Sequence, residues 1–238
     1  MQETQIKEKL KSAIEIYRNT RDPRAGEVVE HLNKILSTSK SRKSLIQYSK
    51  HMYPGYKDPA HIQLIAKHLE MLERGDIKRL AVFMPPRHGK SMLCSEFFPA
   101  WYLGNNPNEF VIQSTYAQEL ADDFGRKVRN QVVSPDFNSV FPQVGLRSDS
   151  TSAKRFHTMQ GGTYTAVGAG GAITGRGAHL LIIDDPIKGR EDAESAVQRK
   201  NLIEWYKAVA YTRLQPGGKI IIIQTRWHQE DLAGYILN

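Results

Sequence analysis

Apolar residues recur at helical spacing through the start of the chain, and this pattern predicts three helices within residues 1–57. The first covers about residues 4–18. Asp22-Pro23 then has the form of an N-cap followed by a first-turn proline, which opens a second helix that the polar run at residues 37–41 is expected to end. A third, short helix is predicted at residues 45–51. Together the three are predicted to form a small helical subdomain or arm.

From residue 58 onward, helical periodicity alternates with short continuous apolar runs, which are typical of strands buried on both faces of a parallel sheet. The predicted strands are residues 80–83, 110–112, 180–183 and 219–223. The predicted helices are residues 58–75, 90–103 with a kink at Pro99, 118–133 and 193–210. We also predict a hairpin of residues 155–158 and 163–167, and a surface loop at residues 134–152. Residues 58–238 are therefore predicted to be one α/β domain with a mostly parallel central sheet flanked by helices.

The segment Met84-Pro85-Pro86-Arg87-His88-Gly89-Lys90-Ser91 lies between a predicted strand and a predicted helix, in the order that builds a phosphate-binding loop. In such loops backbone N–H groups face the phosphates, the Lys spans the β- and γ-phosphate oxygens, and the Ser hydroxyl is a ligand of Mg²⁺. Lys90 and Ser91 would have these roles. The template has Gly where this sequence has Met84, and the two prolines make the loop rigid instead. The alternative is a chance Gly-Lys-Ser in a basic loop.

Two carboxylates, Asp184 and Asp185, follow directly on the apolar run 180–183. The carboxyl end of a central parallel strand is where α/β sheets bind ligands. Because strand side chains alternate in direction, Asp184 could reach the Mg²⁺ bound by Ser91, while Asp185 could orient and deprotonate an attacking water. The chain between the two motifs leaves room for the additional central strand that some P-loop enzymes have. The alternative is an acidic surface turn before Pro186.

Three further polar residues are candidates for nucleotide contacts. The amide of Gln63, upstream of the loop, matches the donor and acceptor of adenine, with Tyr56 or His61 available to stack on the base. An amide on the solvent-facing side of a helix is the more common explanation for such a Gln. Gln224 and Thr225 end the last predicted strand, where they could sense the γ-phosphate.

Composition changes this picture little, but charge adds one feature. The 238 residues are 40% apolar and 24% charged, and no apolar run reaches the length of a membrane span. The single cysteine, Cys94, excludes an intrachain disulfide and a Cys-based zinc site, and fits a reducing cytoplasm. Of the net charge of +8, residues 1–57 contribute +6, from 12 Lys+Arg and 6 Asp+Glu. This surplus is either a solvated helical face or a surface for a polyanion, and residues 40–43 are its best local candidate.

The order of these motifs resembles the ATPase domain of the large terminase subunit of tailed bacteriophages, the motor that packs DNA into procapsids. The residues that carry the likeness are Pro85-Pro86-Arg87-His88-Gly89-Lys90-Ser91, Thr174-Gly175-Arg176-Gly177, Leu181-Ile182-Ile183-Asp184-Asp185-Pro186, and Thr225-Arg226-Trp227-His228 with Asp231-Leu232. The resemblance implies a P-loop NTPase fold of the additional-strand type, ATP and Mg²⁺ as cofactors, and translocation of double-stranded DNA. It also implies a homo-oligomeric ring on the procapsid portal vertex, in the cytoplasm of an infected bacterium and without a membrane. The portal protein and the small terminase subunit would be its partners, and the isolated chain could be a monomer.

The resemblance also implies roles by position. Lys90 and Ser91 match the Walker A pair, Asp184 matches the Walker B metal residue, and Asp185 stands where the family more often has the longer Glu. Arg176 resembles the arginine that reaches into a neighbouring subunit's site. The expected catalytic residues are Asp185, Arg87, Lys90 and, in trans, Arg176. The expected nucleotide contacts are Gln63 of the adenine motif, Pro86, Arg87, His88, Gly89, Lys90, Ser91, Met92 and Thr225 of the coupling motif.

The family also has a C-terminal RNase H-like nuclease domain. We expect this chain to lack it, and therefore expect no nuclease activity. Two alternatives to the packaging motor stay open: a helicase-like ATPase stimulated by nucleic acid, and a nucleotide-gated DNA-binding or scaffold protein that binds ATP without turnover.

Overall fold

A seven-stranded sheet forms the centre of the computed structural model, which describes residues 3–173 and 175–237. In chain order its strands are Arg79–Phe83 (β1), Phe110–Thr115 (β2), Leu146–Thr151 (β3), Arg155–Thr158 (β4), Thr163–Gly168 (β5), Ala178–Asp184 (β6) and Leu214–Gln224 (β7). Across the sheet they follow the order β1-β7-β6-β2-β5-β4-β3. The first five in this order are parallel neighbours, and β4 and β3 extend the sheet in antiparallel fashion. The predicted α/β class, the mostly parallel sheet and the hairpin of β4 and β5 are confirmed.

Helices flank the sheet. In chain order they are Glu3–Thr20 (α1), Pro23–Lys43 (α2), Leu45–Met52 (α3), Ala60–Arg74 (α4), Phe98–Asn105 (α5), Gln118–Val132 (α6), Pro135–Val140 (α7), Arg190–Glu194 (α8), Ala196–Trp205 (α9) and Leu232–Leu237 (α10). A π-helical segment, Met92–Phe97, leads into α5, and another, Tyr206–Ala210, follows α9. Within the described ranges, no helix has both the length and the apolarity that a membrane crossing requires.

The sheet is buried on both faces because successive side chains of each strand point to opposite sides. Leu180 and Ile182 of β6 belong to a core cluster with residues of α3 to α7, whereas Leu181 and Ile183 belong to a second cluster with α9 and α10. All four side chains are fully buried. Burial of an aliphatic side chain contributes roughly 1.5–3 kcal/mol relative to exposure, so the continuous apolar run of β6 holds the two layers together.

The predicted end of the second helix at residues 37–41 is wrong, because α2 continues to Lys43. The Thr38 hydroxyl donates to the Lys34 carbonyl at 3.1 Å, and the Ser41 hydroxyl donates to the Ser37 carbonyl at 3.0 Å. These back-bonds satisfy polar side chains that would otherwise favour a break. The Trp101 indole also donates to the Ser41 carbonyl at 2.9 Å, so packing against α5 stabilises this end of the helix.

The predicted surface loop at residues 134–152 is also wrong. It contains α7 and the strand β3, and Phe137 and Val140 of α7 are fully buried in the main core. Ser134 caps α7 by accepting from the Phe137 N–H at 3.1 Å, and Pro135 occupies the first turn. Ser134-Pro135 thus has the same cap-plus-proline form as Asp22-Pro23 at the start of α2.

The helix predicted at residues 193–210 is divided into α8, α9 and the π-helical segment after α9. Ser195 separates α8 from α9, because its side chain accepts from the Gln198 N–H and caps the second helix. Near the N-terminus, Leu45 and Tyr48 of α3 belong to the main core, whereas the α1–α2 hairpin has a separate small cluster. The domain boundary at residue 57 stays a prediction.

Candidate active site

The backbone shapes the predicted phosphate loop, residues 84–91, which connects β1 to a helical segment beginning at Lys90. Arg87 and Gly89 have left-handed torsions, with φ of 64° and 81°. Such torsions turn the chain sharply and let successive N–H groups converge, as anion-binding loops require. A Cβ at Gly89 would lie 3.2 Å from Ile62 Cδ1 of α4 and would be strained at this φ. The loop is therefore held against the start of α4.

Lys90 is the point at which three of the predicted motifs meet. Its side chain is only 6% exposed, and Nζ donates to Asp185 Oδ2 at 2.7 Å and to Thr225 Oγ1 at 3.1 Å. These groups follow β1, β6 and β7, whose carboxyl ends lie at one edge of the sheet. The structure thus brings together the phosphate loop, the acidic strand end and the last strand in the crevice where α/β sheets bind ligands.

Asp185 is tied to its neighbours on several sides. Its Oδ1 accepts from the Thr225 N–H at 2.7 Å, and its own N–H donates to the Ile223 carbonyl at 2.8 Å. The Tyr116 N–H at the end of β2 donates to the Asp185 carbonyl at 3.3 Å. Its φ of 41° is unfavourable for a residue with a side chain. These hydrogen bonds stabilise the unfavourable backbone conformation of Asp185 and thereby fix the orientation of its carboxylate.

Asp184 is buried, with 1% of its surface exposed, and its Oδ2 accepts from the Ser95 hydroxyl at 2.6 Å. Burial raises the pKa of Asp184 to about 6; the hydrogen bond from Ser95 opposes the rise, the charge of Asp185 adds to it, and a hydrogen bond from Ser91 opposes it. Within the described part of the chain, Asp184 Oδ1 is buried without a hydrogen-bond partner. A buried carboxylate oxygen left unpaired is costly unless a cation or a donor satisfies it.

The residues present fit Mg²⁺. The Ser91 hydroxyl and the Asp184 carboxylate adjoin each other, and both offer the hard oxygen ligands that Mg²⁺ prefers. Among the described residues, no group of three or more His, Cys, Asp or Glu side chains could hold a metal alone. Mg²⁺ usually takes one or two carboxylates together with substrate phosphates and water, so one carboxylate beside a phosphate loop is sufficient.

Comparison with known proteins agrees with this geometry. The family model described as terminase large subunit, T4likevirus-type, N-terminal, matches residues 82–234. The chain belongs to this family. The search of curated proteins found no match. Membership of the large terminase family confirms the resemblance seen in the motifs and implies a role in DNA packaging, with DNA and the packaging machinery as partners.

The terminase chain also has polar groups at this edge that the sequence patterns did not indicate. Ser95 is fully buried beside Asp184, and Thr115 ends β2 directly opposite Asp184. The predicted sensor Gln224 is buried at the end of β7, and its Oε1 and the Thr115 hydroxyl are without partners among the described residues. A signal for Ser95 was available, since it follows Ser91 by four residues and side chains so spaced share a helix face.

Gln63 lies exposed in the first turns of α4, and its Nε2 donates to the Asp58 carbonyl at 2.8 Å. Of the two predicted stacking residues, Tyr56 is buried and its ring packs edge-on against Phe97, with centroids 5.3 Å apart. Its ring is therefore not available to a base. His61 is exposed beside the phosphate loop, with Nε2 3.3 Å from the His88 carbonyl oxygen.

Arg176 lies at the opposite edge of the sheet of the terminase chain. It precedes β6, and the length of β6 from Ala178 to Asp184 is by itself about 20 Å at roughly 3.3 Å per residue. It is half-buried and lines a pocket of about 220 Å³ together with Arg155 and Thr163. The structure therefore does not bring Arg176 to the phosphate loop of the same chain. Thr174, the first residue of its motif, lies outside the described residues.

Proposed function

We propose that this chain is a Mg²⁺-dependent ATPase whose turnover drives double-stranded DNA into a viral procapsid. The observation that carries the proposal is the placement of Lys90 Nζ within hydrogen-bond distance of both Asp185 and Thr225. This contact brings together the three motifs that ATP hydrolysis requires: the phosphate loop, the acidic strand end and the end of the last strand. The position of β7 between β1 and β6 supports a P-loop fold of the additional-strand type.

The phosphate loop binds the triphosphate of ATP. Lys90 spans the β- and γ-phosphate oxygens, and Arg87, exposed in the loop, contacts the γ-phosphate. The remaining loop contacts are the backbones of Pro86, His88 and Gly89 and the first helical turn through Ser91 and Met92. Ser91 and Asp184 hold Mg²⁺, which when bound neutralises charge on the phosphate oxygens.

Asp185 is the proposed base that orients and deprotonates the attacking water. Phosphate oxygens compete with Asp185 Oδ2 for Lys90, so ATP binding frees this oxygen for the water. Thr225 keeps the carboxylate aligned through its N–H, and its hydroxyl contacts both Lys90 and the Met84 carbonyl, the latter at 3.3 Å. Thr225 therefore connects the end of β7 to both catalytic groups, which suits a coupling role.

The wider setting follows from the same proposal. The domain boundary falls near residue 57, and the basic residues 1–57 offer a surface for the DNA backbone, so binding weakens steeply with salt and shows little sequence preference. The chain works as a homo-oligomeric ring on the portal vertex, with the portal protein and the small terminase subunit as partners, in the cytoplasm of the infected host.

The test is phosphate release by purified protein with Mg²⁺ and ATP, with and without DNA, at several protein concentrations. Asp185→Asn should lower kcat by about 10²–10⁴-fold while ATP still binds, and Lys90→Ala should abolish both binding and turnover. Lys127→Ala is the matched control, because Lys127 also has an ion pair of 2.7 Å, to Glu96, but on the surface. It should behave as wild type.

The outcomes separate the proposal from its alternatives. Turnover unchanged by both site variants would refute the enzyme assignment. Tight ATP binding with no phosphate release under any condition would favour the nucleotide-gated binding or scaffold protein. Unwinding of a forked duplex, without translocation on intact duplex, would favour a helicase.

A further inference from the structure

The helix after the phosphate loop is interrupted in a specific place. The sequence predicts one helix over residues 90–103 with a kink at Pro99. Residues Met92–Phe97 are instead π-helical, and the Phe98 N–H donates to the Leu93 carbonyl five residues earlier. Pro99 has no N–H, so the Ser95 carbonyl cannot have its usual α-helical donor. π-Helical segments of this kind occur frequently at functional sites. The interruption surrounds the buried residue Ser95.

Ser95 is fixed at both of its polar ends. Its carbonyl accepts from Gln113 Nε2 of β2 at 3.0 Å, and its hydroxyl donates to Asp184 Oδ2 at 2.6 Å. Both Ser95 and Gln113 are fully buried, so neither bond competes with water. Ser91, four residues earlier on the same helical segment, lies near the same carboxylate. The segment therefore places Ser91 beside Asp184 and bonds Asp184 through Ser95, and β2 fixes Ser95.

We infer that Ser95 is a positioning residue for the metal site: it holds Asp184 Oδ2 so that Oδ1 faces the metal bound by Ser91. The inference rests on the proposed function, because it needs Mg²⁺ at Ser91 and Asp184. Among the described residues Asp184 Oδ1 has no hydrogen-bond partner, and the bond from Ser95 to Oδ2 determines which of the two oxygens is left for the metal. Outer-shell hydrogen bonds of this type fix ligand orientation, and their loss typically lowers metal affinity or activity about 10–100-fold.

The test is Mn²⁺ binding to the ADP-loaded full chain, followed by electron paramagnetic resonance, alongside ADP affinity in EDTA. Ser95→Ala should weaken Mn²⁺ binding by about 10-fold or more and leave ADP affinity in EDTA unchanged. Ser95→Cys retains a weak donor and should fall between Ala and wild type. Ser49→Ala is the matched control, because Ser49 is equally buried but donates to the Leu45 carbonyl, away from the site.

The results separate this inference from the proposed function. If wild type binds no Mn²⁺ with ADP, the proposed metal site itself fails. If wild type binds Mn²⁺ and both Ser95 variants bind it equally well, only the positioning role is refuted. Ser49→Ala reports what the loss of a buried hydroxyl does to the fold alone. If Ser95→Ala weakens Mn²⁺ binding only together with ADP affinity in EDTA and melting temperature, to the same extent as Ser49→Ala, the positioning role is also refuted, because Ser95 would then act only in packing.

Discussion

The two ends of β6 differ in how their functional groups are held. At the carboxyl end, Asp184 and Asp185 are bonded to Ser95, Lys90 and Thr225 at 2.6–2.7 Å, all from the same chain. At the amino end, Arg176 lines an open pocket about 20 Å away. The strand β6, in which every residue except the half-buried His179 is buried, separates them.

This contrast suggests a division of labour. The carboxyl end has the groups to bind a nucleotide and a metal within one chain. The guanidinium of Arg176, at the amino end, can contact only a triphosphate that is bound to a second copy of the chain. The carboxyl end should therefore respond to mutation in the isolated chain, and the amino end only after assembly.

The largest expected effect comes from Arg176→Ala. If the chain assembles as proposed, ATPase activity of the assembly should fall by about 10³–10⁵-fold, because the arginine would stabilise charge on the γ-phosphate of the neighbouring site. At concentrations where the chain is monomeric, the variant should equal wild type. The measurement is phosphate release as a function of protein concentration, on a protein whose assembly state is followed by light scattering.

Mixing tests whether the arginine acts in trans. Arg176→Ala protein combined with Lys90→Ala protein should regain part of the activity, since one subunit supplies the loop and the other the arginine. Arg213→Ala is the control, because Arg213 is also half-buried at the amino end and its guanidinium contacts only the Thr212 hydroxyl among the bonds described. Failure to complement would assign Arg176 a structural role.

A smaller effect is expected at the carboxyl end, on stability rather than turnover. The pKa of Asp184 is raised from 3.8 to about 6, so the folded chain binds a proton more tightly than the unfolded chain. Stability from this group is complete below pH 4 and is lost as pH rises through 6. Asn at position 184 does not ionise, so Asp184→Asn does not lose this stability. Without nucleotide or Mg²⁺, the free energy of unfolding of the variant minus that of wild type should therefore rise by up to about 3 kcal/mol between pH 4 and pH 7.5.

Urea unfolding of the two proteins at several pH values measures this difference. Asp123→Asn should show a nearly constant difference from wild type, because its carboxylate is half-exposed in a surface ion pair with Arg126. If the Asp184→Asn difference is flat as well, burial does not perturb this carboxylate in the way the structure indicates.

The smallest effect is expected for Gln63→Ala. Loss of one base hydrogen bond should weaken ATP binding by about 1 kcal/mol, roughly fivefold, and reduce the preference for ATP over GTP. Fluorescent nucleotide displacement measures both. Gln47→Ala, which removes an exposed amide from α3, should leave both unchanged. A preference for ATP that survives in Gln63→Ala would remove Gln63 from the nucleotide site.

Much of the carboxyl edge was predictable, because each motif there is local. The apolar runs of β1, β6 and β7 indicate buried strands, and the polar residues after them must then lie at one edge of a parallel sheet. Arg176 could be placed at the other edge by the same logic, since it precedes β6 rather than following it.

The errors arose where tertiary packing overrides local preference. The polar residues Thr38 and Ser41 indicated a helix break. The helix α2 continues through them because their hydroxyls donate to carbonyls of α2 itself and Trp101 of α5 packs against the end of α2. The spacing of Ser95 from Ser91 was a usable signal, but the bond from Gln113 to Ser95 could not be predicted, because it depends on how the helix after β1 is placed beside β2. Periodicity carries no information on such contacts between elements.

The π-helical segment Met92–Phe97 accommodates one extra residue between the phosphate loop and α5 of this terminase chain. Removing one residue there would restore α-helical winding and leave α5 facing its present neighbours, because i→i+5 bonds take up one residue more than i→i+4 bonds. An insertion or deletion within α5 itself has no such reserve and would rotate the remainder of that helix about its axis by about 100°, given 3.6 residues per turn. Relatives of this chain should therefore tolerate the loss of one residue in the π-helical segment, but few insertions or deletions inside α5.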